Sequence, residues 1–267
     1  MAMVFPGWDR GASAHVVRIV LDMPGMPRAA RHGLLGKGEN RALAEPRLVM
    51  RTDAAHLTLI ASLVPADQDG RPAAAHVTPM GLAAYQFEQR QGAWTLSARQ
   101  GVFALEGFFG DATLRAVALS ARRDAVAVES GSCWQGYCTT LLALYELDKG
   151  QVRRVPAVAT ALSGINVNGA GDCARRLQPL VKPPQDERVP EADNGAGAGS
   201  HDCYAIDGTW KLLPAHEQPG DLVIHYHGAL SRAGAHAGLE AIDQRQVLRY
   251  EGGRYRAVAG FNPVPPL

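Results

Sequence analysis

Two groups of side chains in this sequence have the chemistry to bind or react: a C-terminal concentration of histidines and four cysteines. Of nine histidines, five (His201, His216, His225, His227 and His236) fall within the last 67 residues. His225 and His227 alternate along Asp221-Leu-Val-Ile-His225-Tyr-His227, and alternation on a strand puts both imidazoles on one face about 7 Å apart. Imidazole and carboxylate are ordinary donors to zinc and related ions. His225, His227 and Asp221 are therefore the candidate metal ligands, for zinc or calcium, with Asp202, His216 and His236 as further donors. The competing reading is a half-exposed pair facing solvent from an outer strand with no cofactor at all, and the residue pattern favours it.

The cysteines suggest a covalent framework. Four of them, Cys133, Cys138, Cys173 and Cys203, allow two disulfides. Cys133-Trp-Gln-Gly-Tyr-Cys138 is a short loop around Gly136 and suits a bridge across a tight turn. Cys173 and Cys203 then bracket the most irregular part of the chain. Zinc is a poor fit to the cysteine spacing, because no second closely spaced pair accompanies the first. Disulfides persist in oxidising compartments, so the expected location is periplasmic or secreted. Trp134 and Tyr137, inside the cysteine-closed loop, are the candidate binding residues, displayed for contact with another protein.

Signatures of catalysis are missing at the places where they would be sought. Ser130-Gly-Ser132-Cys133 lacks the Gly-x-Ser-x-Gly elbow and sits in a strand context. Gly33-Leu-Leu-Gly36-Lys37 lacks the spacing and the final Ser/Thr of a phosphate loop. Gly169-Ala-Gly171 lacks the third glycine of a dinucleotide fingerprint. The expectation is a protein that is not an enzyme.

The elements that must carry these residues are strands. A hairpin signal occurs four times, at Tyr85–Trp94, Tyr145–Val152, Tyr204–Trp210 and Leu248–Tyr255, with expected turns at Gly92, Gly150, Gly208 and Gly253. Each copy alternates apolar and polar residues, reaches an acid, turns at glycine and resumes with an aromatic or β-branched residue. His15–Leu21, Leu48–Met50, His56–Val64, Ala112–Leu119 and Ala125–Glu129 add further strands. The aromatics Tyr85, Trp94, Tyr145, Trp210, Tyr250 and Tyr255 recur at equivalent places, as core residues of a repeat do. Residues 183–200, dense in proline, glycine and charge, read as a long surface loop.

The fold expected is all-β, a propeller-like array of repeated antiparallel hairpins, with a β-sandwich as the alternative. Residues 1–46 form an N-terminal strand and loop, and 47–267 a single repeat domain with units of about 47–100, 101–156, 157–215 and 216–262. Net charge is +1, from 27 basic and 26 acidic residues. No basic stripe is present to neutralise phosphates, which sets nucleic acid aside as a partner. No apolar run approaches the roughly 20 residues of a membrane helix, and the first residues lack the pattern of a signal peptide.

Pro219-Gly-Asp221-Leu-Val-Ile224 resembles the strand entry of FG-GAP-type β-propeller blades, in which a Gly-Asp loop leads into Asp-Leu-Val. The resemblance spans about ten residues and implies a propeller-like extracytoplasmic protein that binds a partner. Glu217-Gln-Pro219-Gly220 stands where that family carries its calcium-binding acids, so no calcium is implied. The function expected is an extracytoplasmic protein-binding module, in its most concrete form an inhibitor or immunity-type partner of a secreted enzyme. The alternative is a metal-dependent hydrolase built on the histidine-rich C-terminal unit.

Overall fold

The computed structural model describes residues 1–9, 11–18, 41–75, 78–107, 112–148, 150–156, 160–166, 172–178, 180, 201–233 and 238–266. Residues 33–37, 169–171 and 183–200, together with His236, lie outside the described residues. What is described is all-β and antiparallel apart from one short helix. The chain divides into two compact units, Met1–Ser130 with Leu144–Val155, and Gly131–Ala143 with Pro156–Leu267.

In the first unit, β1 (His15–Arg18), β2 (Arg41–Arg51), β3 (His56–Pro65), β4 (Met80–Arg90) and β5 (Ala93–Glu106) form a five-stranded sheet in chain order. The continuous apolar run of β3 is explained by burial on both faces: Leu59, Ile60, Ala61, Ser62 and Leu63 are all buried. One face is covered by Val4 and Phe5, the Phe5 ring standing edge-on to Tyr85 at 5.3 Å. Against the sheet lies a meander of β6 (Thr113–Ser120), β7 (Arg123–Trp134), β8 (Tyr137–Asp148) and β9 (Gln151–Arg154). Phe103 of β5 meets Tyr145 of β8 at 5.4 Å, and Arg47 of β2 donates to the carbonyl of Ala112 at 2.5 Å. The Gln100 amide stands in for a strand: the backbone N–H of Val152 donates to its Oε1 at 2.7 Å, and its Nε2 donates to the Val152 carbonyl at 2.9 Å. This satisfies the outward-facing backbone groups of Val152 on the short β9.

The second unit holds the tip of the β7–β8 hairpin, then β10 (Thr160–Ile165), α1 (Cys173–Leu177), β11 (Cys203–Leu212), β12 (Leu222–Ser231), β13 (Leu239–Glu251) and β14 (Arg254–Ala259). From β10 to β14 each strand pairs with the next. Even-numbered residues of β11 and β12 point inward, and Ile206, Leu222, Ile224 and Tyr226 are fully buried. The buried phenols are satisfied: Tyr226 donates to Ala161 at 3.1 Å and Tyr255 to Gly220 at 2.9 Å. Burial away from water pushes the Tyr226 phenol up to about 12. The proline-rich tail is fastened by the Asn262 amide, which donates to Thr160 and Ala161, and by the buried Val264.

Gly92, Gly150 and Gly253 turn with φ of 80°, 80° and 82°, as expected. Gly208 does not turn. β11 runs unbroken through it, all ten of its residues paired with β12. A Cβ at Gly208 would stand 2.5 Å from the Leu162 carbonyl and 3.1 Å from the Tyr226 ring, so glycine here admits a close neighbour. The irregular stretch after β10 contains a helix that the sequence pattern concealed. α1 is five residues long, and Cys173 and Leu177, one turn apart, are both fully buried against Cys203 and Ala229.

Candidate functional site

Three places in the second unit gather side chains with binding chemistry. The first is the β7–β8 tip. Gln135 and Gly136 have φ of 50° and 84°, the two positive values that a two-residue type I′ turn requires. Trp134 and Tyr137 flank the turn directly, and Cys133 and Cys138 form the next cross-strand pair, joined as a disulfide with Cα atoms 4.0 Å apart. In a two-residue hairpin this second pair is the non-hydrogen-bonded one, where the strands approach most closely. Successive side chains alternate between faces, so the disulfide lies on one side of the ribbon and Trp134 and Tyr137 on the other. Trp134 is 54% exposed. Tyr137 is half-buried and close enough to Tyr204 to act on it: burial first, then Tyr137, holds the Tyr204 phenol above its ordinary value. Trp134 is thus the displayed member of the pair, and Tyr137 is partly built into the scaffold.

The second place is the outer face of β11–β12–β13. His225 and His227 share this face, as the alternation predicts, and both are exposed. Strand register sets Asp207 and Asp243 opposite His227, and Thr209 and Arg245 opposite His225. The His225 Nε2 lies 2.9 Å from an Asp243 carboxylate oxygen. Asp221 is four residues from His225, about 13 Å along the strand, and its carboxylate accepts from Arg249 Nε at 3.1 Å and from a terminal nitrogen at 2.9 Å. The acids beside the histidine pair are therefore Asp243 and Asp207. The arrangement is an exposed polar band in which the His225 imidazole and the Asp243 carboxylate form a close contact.

The third place lies on the same face near the α1 end. Here Arg176 extends from α1 and donates to the carbonyls of His201, Ser231 and Arg232 at 3.0, 3.0 and 2.7 Å. Cys173 opens the helix and is joined to Cys203 at the start of β11, with Cα atoms 5.1 Å apart. Among the described residues, Asp172, Cys173, His201 and Cys203 form a group of potential metal ligands whose donor atoms all lie within 4.8 Å of one another. Sequence reasoning missed this convergence. Its signal was the pair of short patterns Asp172-Cys173 and His201-Asp-Cys203, one at each end of the same bridge. Asp202, between them, accepts from the Ala233 N–H at 2.7 Å and from Arg232 at 3.2 Å. Those two interactions, the backbone bond first, hold its carboxyl below the usual 3.8.

Comparison with protein-family models, with curated proteins and with solved structures finds no match to this chain. Two disulfides fit an oxidising, non-cytoplasmic setting. Among the described residues no helix is long and apolar enough to cross a membrane.

Proposed function

We propose that this chain is a periplasmic or secreted protein-binding module whose contact point is the β7–β8 tip, acting as an inhibitor or immunity-type partner of a secreted enzyme. The observation that carries the reading is Trp134, 54% exposed on a type I′ turn closed by the Cys133–Cys138 bridge. A large aromatic held on a stapled hairpin loses little conformational freedom when it enters a partner's pocket. Tryptophan is among the residues that most often dominate binding energy. The resemblance of 219–224 to FG-GAP-type blades is compatible with a scaffold that presents loops to a macromolecule.

The test starts by immobilising the folded, oxidised protein and its Trp134→Ala variant. Proteins from the host's extracellular and periplasmic fractions that bind the first and not the second are identified by mass spectrometry. The strongest candidate is then purified and titrated against both forms by calorimetry. The expected result is a loss of about 2 kcal/mol for the variant, roughly 30-fold in Kd, together with inhibition of the partner's enzymatic activity by the unmodified protein. Equal Kd values for the two forms would overturn the reading.

A further inference from the structure

We propose that Cys173, Cys203, His201 and Asp172 form a redox-gated zinc site: a disulfide in the oxidised protein, and a four-ligand metal centre when that bridge is reduced. This does not depend on the protein-binding role of the hairpin tip.

The argument begins with where the chain has brought the four groups. Cys173 and Asp172 come from the start of α1, and Cys203 and His201 from the start of β11, so two adjacent pairs face each other across one fastened junction. All four donor atoms already lie within 4.8 Å of one another. Two thiolates, an imidazole and a carboxylate are a sound tetrahedral zinc donor set. In such a site, with Zn–S of about 2.3 Å, the sulfurs stand about 3.8 Å apart. With Cα atoms 5.1 Å apart, the cysteines reach that separation by side-chain rotation.

Burial and charge point the same way. Both cysteines are fully buried, and the side chains of Asp172 and His201 are 12% and 35% exposed. The imidazole is the most exposed of the four side chains, while its Nε2, the atom nearest Asp172, is buried. A divalent cation with two thiolates and one carboxylate carries a formal charge of −1. The Arg176 guanidinium, 3.8 Å from the Asp172 carboxylate and fixed by three backbone carbonyls, supplies a compensating positive charge.

The chemistry balances with a dithiol as reductant. Its thiolate attacks one cysteine sulfur, the Cys173–Cys203 bond breaks through a mixed disulfide, and the reductant leaves as its own cyclic disulfide. Two electrons and two protons remain on the protein as two thiols. Zinc binding then displaces both thiol protons to solvent, because the thiolate is the ligand.

The test uses the full chain carrying Cys133→Ser and Cys138→Ser, so that the buried pair supplies every thiol. Reduced anaerobically, freed of reductant and titrated with cobalt(II), this protein is expected to take up one equivalent. Tetrahedral d–d bands and a thiolate-to-cobalt charge-transfer band should appear, and zinc should abolish both by displacing the cobalt. The same protein left oxidised should show neither band. His201→Ala and Asp172→Ala should each weaken cobalt binding by at least ~10-fold, the loss that even an outer-shell partner can bring. Absence of the charge-transfer band after reduction would overturn the proposal, as would equal binding by the oxidised form or unchanged affinity in both ligand variants. Circular dichroism covers the remaining case: loss of β signal on reduction that excess zinc does not restore also counts against it.

Discussion

The bond between Cys133 and Cys138 lies at an exposed hairpin tip, between strands already held together by a two-residue turn, whereas the bond between Cys173 and Cys203 is wholly buried and joins a helix to a strand 30 residues away. The same covalent link therefore does different work in each place. At the tip it closes a loop that the chain would close anyway, and its effect is to hold two aromatic residues still. At the junction it removes much more freedom from the unfolded chain, because the entropy lost grows with the length of loop closed.

The most forceful way to break this comparison is to remove both bridges separately. Replacing Cys173 and Cys203 with alanine should lower unfolding free energy by about 3–4 kcal/mol, as expected for a loop of that length, read as a fall in the urea midpoint. Gly208→Ala tests the same region without touching a disulfide. A Cβ there meets the Leu162 carbonyl, and the expected cost is about 2–3 kcal/mol by thermal or urea unfolding. Replacing Cys133 and Cys138 with alanine should cost about 1–2 kcal/mol; a loss as large as that of the buried pair would erase the distinction. Trp134→Ala should leave stability within about 0.5 kcal/mol of the unmodified protein, as exposed substitutions generally do, while weakening partner binding roughly 30-fold.

The smallest expected effect is one of pH. Asp202 sits beside the buried bridge with its carboxyl held below its ordinary 3.8. A carboxyl depressed in the folded state adds stability above its unfolded value and loses it as pH falls through the folded value. The stability difference between the native protein and Asp202→Asn should thus be full at neutral pH and close as acid drives the pH below 3.8.

Local grammar explains which of these features could be read in advance. The strands β3, β4, β7 and β8 announce themselves by alternation or by β-branched runs. Gln91-Gly92, Gln135-Gly136 and Gly252-Gly253 sit at real turns because the deciding interactions lie within four residues. The Cys133–Cys138 pairing is local in the same sense. Gly208 was misread because an Asp-Gly step looks the same whether glycine is needed for positive φ or for clearance, and the atom that decides, the Leu162 carbonyl, is 46 residues away. The shared face of His225 and His227 follows from period 2 alone. Their acidic neighbours do not: Asp243 and Asp207 arrive through the registers of two other strands. α1 escaped notice because five residues are too few to show a helical period, and its stability comes from burying Cys173 and Leu177.

β12 pairs with β11 and with β13 along all ten of its residues. Its amide hydrogens therefore have no nearby edge from which to fray, and isotope exchange there must wait for the second unit to open as a whole. In a deuterium-labelling time course β12 should be the last of that unit's strands to take up label, and its rate should report the global unfolding equilibrium of the unit. His225 and His227 project from that strand, so the polar band sits on the slowest-moving backbone of its unit.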